Sequence, residues 1–154
     1  MISNTPKTTK RHLLITGAAG LVGQILSKAW HDYYDLTLVD IKPIKPVQGA
    51  RTVQADICDS GMMKKLCINV DTVIHLAVVG NHLSPNKQFS HTNLTGNRSL
   101  LNAAVGNCRR VVFASSLSID IYPTSTAYNE VKLQTEREAQ LLSKAPIYRF
   151  TACV

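Results

Sequence analysis

Tyr128 and Lys132 stand four positions apart, a spacing that puts two side chains on one face of a helix. A free phenol ionises near pH 10, too high for a good base at neutral pH. A neighbouring ammonium favours the phenolate and lowers that value. Together the two residues have the makings of a proton acceptor for a hydroxyl group. On an ordinary amphipathic helix they would be a solvated surface pair. The serine pair Ser115-Ser116, ending an apolar run upstream, tips the reading toward chemistry.

A second group of residues suits an anion. Gly17, Gly20 and Gly23 are spaced Gly-x-x-Gly-x-x-Gly, after a strand-like run and at the start of a helical one. A helix N-terminus offers unpaired N–H groups and partial positive charge, which fit a pyrophosphate. Gly17 permits the tight turn, Gly20 lets the backbone approach the phosphates, and Gly23 lets the helix pack closely on the strand. Asp40 ends the next strand-like run, 17 positions after Gly23, near the ~20 expected for the acidic residue of a dinucleotide site. Its carboxylate would accept hydrogen bonds from the adenosine ribose and repel a 2′-phosphate. NAD is therefore expected over NADP, with Lys42 as a nearby base that would partly restore NADP binding.

These groups need a scaffold. Short apolar, β-branched runs predict strands over His12–Thr16, Leu36–Val39, Arg51–Gln54, Thr72–Leu76, Arg110–Ala114 and Ile147–Phe150, buried on both faces. Helical patterns lie between them at Leu21–Trp30, Gly61–Ile68, Ser90–Val105 and Ala127–Ser143, the last stopped by Pro146. Trp30 and the Leu/Val stripe of the first helix are expected in the core, and Leu141 on the apolar side of the last. Residues 41–49, with two prolines and a glycine, read as a loop. Alternation of this kind predicts an α/β fold: a doubly wound parallel sheet of about six strands with helices on both faces. Residues 1–10 are expected to form a flexible tail before a single domain over residues 11–154. His75 reads as a strand histidine with satisfied hydrogen bonds rather than a catalytic one.

Composition narrows the function classes. Of 154 residues, 45% are hydrophobic and 18% charged, enough for a core. No apolar run approaches the ~20 residues of a membrane helix, and the polar N-terminus lacks a signal-peptide core. Cys58, Cys67, Cys108 and Cys153 have no metal-ligand spacing. They read as small apolar core residues and reduced thiols, so no metal and a cytoplasmic location are expected. The net charge is +7, but the basic residues are spread along the chain, the densest cluster being Lys7, Lys10 and Arg11. Without interleaved aromatics this is a solvated surface rather than a nucleic-acid site.

The motifs, in order, resemble one family. Thr16 to Gly23 resembles the Thr-Gly-x-x-Gly-x-x-Gly signature of the extended short-chain dehydrogenases/reductases, the branch of NAD-dependent nucleotide-sugar epimerases and dehydratases and of the uronate dehydrogenases. Ala55-Asp56-Ile57 resembles the family's adenine-contacting pair, and Val73 to Ala77 its fourth-strand signature. Asn93-Leu94-Thr95-Gly96 resembles its Asn-x-x-Gly, Val112 to Ser116 its serine-bearing strand end, and Tyr128 to Lys132 its Tyr-x-x-x-Lys. The likeness covers about residues 11–150, and the uronate dehydrogenases look closest.

This resemblance implies NAD as cofactor and hydride transfer at a hydroxyl of a sugar or nucleotide-sugar. Ser116, Tyr128 and Lys132 would be catalytic, with Ser115 and Ser118 as alternatives for the hydroxyl role. Lys132 would also hold the nicotinamide ribose. Cofactor contacts would come from Gly17, Ala19, Gly20, Leu21, Val22 and Gly23, from Asp40, Asp56 and Ile57, from Leu76, Ala77 and Asn93, and from Ser115, Tyr128 and Lys132. Asn93 alternatively bonds the backbone within its own helix. A homodimer through the Ser90–Val105 and Ala127–Ser143 helices is possible by the same resemblance. Two features depart from the family, a 12-residue interval from Ser116 to Tyr128 and Asn129-Glu130-Val131 where Gly-x-Ser is common, and a third departure is expected, the lack of the usual C-terminal substrate subdomain after Val154. The last leaves a second reading, a truncated, non-catalytic NAD-binding module with a sensor or interaction role.

Overall fold

The computed structural model describes residues 10–80, 87–121, 126–142 and 147–152. Lys7, Pro146, Cys153 and nearly all of the expected N-terminal tail lie outside them. Six strands form one sheet: β1 (His12–Thr16), β2 (Asp35–Asp40), β3 (Arg51–Gln54), β4 (Thr72–His75), β5 (Arg110–Ser116) and β6 (Ile147–Ala152). The order is β3-β2-β1-β4-β5-β6, and every pairing is parallel. The helices are α1 (Leu21–Trp30), α2 (Ser60–Leu66), α3 (Lys87–Ala104), α4 (Ser118–Ile121) and α5 (Ala127–Leu142). The expected doubly wound fold is thus met. The short α4 was not foreseen: four residues are too few to show a period.

Strand residues alternate between two cores, because successive side chains point to opposite faces. Leu14, Val39 and Val73 pack with Met63, Leu66, Leu100 and Ala104 of α2 and α3. Leu13, Ile15, Leu38 and Ile74 face the other way and meet Leu26 and Trp30 of α1. A third cluster, Leu101, Phe113 and Ala139, joins α3, β5 and α5. Cys67 is buried, while Cys58 and Cys108 are half-buried, and all three are free thiols. Residues 41–50 form a loop that folds Ile44 and Val47 onto the α1 side of the sheet. Among the described residues no helix is long and apolar enough to cross a membrane.

The expectation for α1 is met at Leu26 and Trp30, which pack on the core, but not at Leu21 and Ile25, and the expectation for Leu141 is overturned. The buried seam of α1 is Gly23 and Ser27, while Leu21 and Ile25 are 76% and 56% exposed. The helix lies against the glycine turn too closely for a larger residue at Gly23: a Cβ there would lie 2.5 Å from the Gly17 carbonyl oxygen. Trp30 is only half-buried, and it packs edge-to-face on Tyr34. Leu141 points outward from α5 at 86% exposure, because α5 buries Val131, Lys132, Thr135 and Ala139 instead.

Candidate functional site

The glycine turn joins β1 to α1 where the C-terminal end of β4 passes it. Gly17 has φ +74°, and a Cβ there would sit 2.6 Å from the Ala77 amide nitrogen. Glycine is required on both counts. The Leu76 amide donates to the Thr16 carbonyl at 3.1 Å, so the backbone of Leu76 and Ala77 runs against the turn as expected. Gly20 is the N-cap of α1, and no side chain caps this end. A Cβ on Gly20 would approach only the Gly17 carbonyl oxygen, at 3.2 Å. Ala19, Leu21 and Val22 complete the turn and the first helical residues, with Val22 half-buried.

Asp40 reaches across from β2. One carboxylate oxygen accepts from the Ala19 amide and the other from the Lys42 amide, both at 2.9 Å. The strand-end carboxylate therefore fixes the turn, and each oxygen retains accepting capacity. Asp56 accepts from the Cys58 amide at 2.8 Å and organises the chain after β3. Ile57 packs over Gly96, where a Cβ would come 2.5 Å from its Cδ1. Asn93 is buried and clamps Val79 through both backbone groups, accepting at 2.9 Å and donating at 3.0 Å. It thus bonds the segment after β4.

The end of β5 meets α5. Tyr128 and Lys132 share a face as the spacing predicts, with the Lys132 Nζ 5.4 Å from the centre of the Tyr128 ring. That is a cation–π distance. Lys132 is 8% exposed, and its ammonium donates to the Ala114 carbonyl at 2.7 Å. Burial pulls its pKa down to about 8, against the opposing pull of Glu136. The expectation that Lys132 lowers the Tyr128 pKa is not met. Burial raises the phenol above its ordinary value, and the Ser116 hydroxyl opposes that shift. The ammonium lies over the ring face and spends a hydrogen bond on Ala114, so burial prevails.

The serines separate by direction. Ser115 is buried and its hydroxyl donates to the Glu136 carboxylate, so it turns toward α5. Ser116 lies beside Tyr128, and its Oγ is 2.7 Å from the Ser118 Oγ. Ser118 donates to the Asn129 Oδ1 at 2.7 Å, and the Asn129 Nδ2 returns to the Ser118 carbonyl at 3.3 Å.

His75 is buried with both ring nitrogens engaged, as expected of a strand histidine. Nδ1 is 2.7 Å from the Thr16 Oγ1, and Nε2 is 2.8 Å from the Asn97 Oδ1. Asn97 donates to Thr135 at 2.6 Å, and Thr135 to the Val131 carbonyl at 2.8 Å. Sequence reasoning missed Asn97, Asn129, Thr135 and Glu136, and it named Ser118 only as an alternative for the hydroxyl role. Thr135 and Glu136 lie seven and eight positions after Tyr128, and that helical spacing was a usable signal. A buried asparagine such as Asn129 leaves none.

The chain is 31% identical to uronate dehydrogenase of Pseudomonas putida over 113 residues, covering 71% of this chain and 42% of that enzyme. It is 31% identical over 111 residues to NAD-dependent glucose-6-phosphate dehydrogenase of Haloferax volcanii, covering 68% of this chain and 42% of that enzyme. The chain thus spans about 42% of the length of these relatives. The solved uronate dehydrogenase of Agrobacterium tumefaciens aligns with a TM-score of 0.72 at 26% identity, covering 86% of this chain and 55% of that one. A mutant of that enzyme is solved complexed with NAD. Residues 13–148, which carry the glycine turn, Asp40 and the serine–tyrosine–lysine cluster, match the NAD dependent epimerase/dehydratase family, and the chain belongs to it.

Proposed function

We propose that this chain binds NAD across the C-terminal edge of its sheet and acts at a hydroxyl of a sugar or nucleotide-sugar, with Tyr128 handling the hydroxyl proton. The observation that carries the reading is the meeting of Ser116, Tyr128 and Lys132 at the end of β5, in a sheet whose order reverses between β1 and β4. Ligands of open parallel sheets bind in the crevice at such a switch point. The relatives' names point to the same substrate class.

The chain's own residues fit the dinucleotide. The uncapped end of α1 offers amides to a pyrophosphate, and Gly20 leaves room for its approach. Asp40 would hold the adenosine ribose, Asp56 and Ile57 the adenine, and Lys132 with Tyr128 the nicotinamide ribose. Leu76, Ala77 and Asn93 would flank the cofactor from β4 and α3, and Ser115 from the end of β5. NAD, when bound, supplies the hydride acceptor. Ser116 orients the substrate oxygen and Tyr128 takes up its proton. Lys132, close to its titration point near neutral pH, supplies positive charge against the ring as the phenolate forms.

A second reading, an NAD-binding module without catalysis, draws on the raised Tyr128 pKa and on the bonding of Lys132 to Ala114. Calorimetry tests the shared part first. NAD is expected to bind saturably, NADP poorly, and Asp40→Ala to weaken NAD by roughly tenfold to a hundredfold. Failure to bind either dinucleotide would overturn both readings. Binding without turnover on any uronate or nucleotide-sugar would favour the second.

A further inference from the structure

The hydroxyl proton of Ser116 has two claimants, the Tyr128 oxygen and the Ser118 oxygen. The hydrogen bonds beyond Ser118 decide between them. The Asn129 Oδ1 can only accept, so the Ser118 hydroxyl, 2.7 Å away, gives its proton there. The Asn129 amide group is held the right way round, because its Nδ2 donates to the Ser118 carbonyl at 3.3 Å. Having spent its proton, Ser118 accepts at its Oγ, and the donor within 2.7 Å is Ser116. The Ser118 backbone amide also donates to the Ser116 oxygen at 3.2 Å. Asn129 is 2% exposed, and its backbone amide is tied to Thr126 at 3.1 Å, so this end of the row is fixed.

We propose that Asn129 and Ser118 are positioning residues that hold the Ser116 hydroxyl proton turned away from Tyr128. In the resting protein Ser116 then presents a lone pair to the phenol, which donates to it. The proton becomes available to a phenolate, or to a substrate oxygen, only when the row reorients. Asn129 occupies one of the positions where the chain departs from the resemblance to its family, so the brake belongs to this sequence. The significance of the proposal rests on the reading of Tyr128 as the proton-transfer group, but its measurement does not.

The charged groups on the surrounding elements are Lys132 and Glu136 of α5, Asp120 of α4 and Arg98 of α3, the last paired with Glu138. Only burial and Ser116 move the phenol appreciably. The test follows Tyr128 ionisation by NMR of tyrosine labelled at the ring carbon bearing the hydroxyl, in the 154-residue chain without cofactor, with the signal assigned by its loss in Tyr128→Phe. Ser118→Ala frees the Ser116 proton for the phenolate and is expected to lower the midpoint. In a Ser116→Ala background the same substitution is expected to leave the midpoint unchanged, because no Ser116 proton remains to be redirected. Ser118→Thr retains the hydroxyl and is expected to keep the original value. A shift in Ser118→Ala that vanishes when Ser116 is already alanine does not arise from general loosening. Asn129→Ala is expected to act like Ser118→Ala. Should that buried variant fail to fold, the half-buried Ser118 carries the test alone. A midpoint unchanged or raised in Ser118→Ala would overturn the proposal. Loss of NAD binding would sink the proposed function and leave this result standing.

Discussion

At Tyr128 two influences on one proton oppose each other, and their balance sets what the residue can do. Burial holds the phenol protonated, and Ser116 pulls the other way. Lys132 contributes through the ring face, where its charge is itself weakened by burial. A resting phenol suits a group that gives up or takes a proton only when a partner oxygen arrives. Tyr128→Phe keeps the ring under Lys132 and removes the proton. NAD affinity is therefore expected to change by less than tenfold, while turnover falls by about 10²–10⁴. Calorimetry and reduced-cofactor absorbance read the two separately. Turnover retained in this variant would remove Tyr128 from the chemistry. The pair itself was legible in the sequence, since four-residue spacing on a helix is geometry. The direction of the Tyr128 shift was not, because it depends on how deep α5 sits against β5. The same is true of Ser115 and Ser116, identical neighbours whose roles part only because one faces Glu136 and the other Tyr128.

Among the elements, the glycine turn is where the backbone leaves least freedom. Gly17 and Gly49 share a positive φ, +74° and +72°, but only Gly17 has backbone where a Cβ would go. Gly49→Ala should cost about 1–2 kcal/mol, the left-handed conformation alone. Gly17→Ala adds a collision with Ala77, so it should cost clearly more and weaken NAD binding, which Gly49→Ala should leave intact. Urea denaturation and calorimetry on both variants check this. Equal costs would mean that β4 yields and that the close approach is soft. The strands were legible because their two-sided burial leaves short apolar runs bounded by turn residues. The inner face of α1 was not. Its pattern of Leu21, Ile25 and Leu26 satisfies a helical period, but the fully buried residues are Gly23, pressed on the turn, and Ser27, while Leu26 packs at the margin of the core. Periodicity reports that a helix has an apolar side, and the distance of closest approach decides which residues occupy the contact.

For the whole molecule, the meeting of its two halves matters most. The sheet reverses direction of growth between β1 and β4, and there the side chain of His75 joins Thr16. The row continues through Asn97 of α3 to Thr135 of α5, so polar contacts run from the glycine turn to the helix carrying Tyr128 and Lys132. With Nε2 donating to Asn97, Nδ1 accepts from Thr16, and every member is satisfied by a neutral ring. Burial accordingly lowers the His75 pKa from 6.5 to about 4. An unfolded histidine binds its proton from about pH 6.5 downward and the folded one only near pH 4, so between these values the unfolded chain holds more protons. Stability must fall as the pH falls through this window. The loss from His75 should reach about 3 kcal/mol by pH 4. Urea denaturation of the wild type and of His75→Gln at pH 7 and pH 4 isolates it, since other acid-titrating groups are common to both. The variant is expected to be less stable at pH 7 but to lose about 3 kcal/mol less on acidification. Parallel losses would mean that His75 takes up its proton without breaking the row. The link between the turn and the helix carrying Tyr128 would then rest on apolar packing rather than on this line of hydrogen bonds.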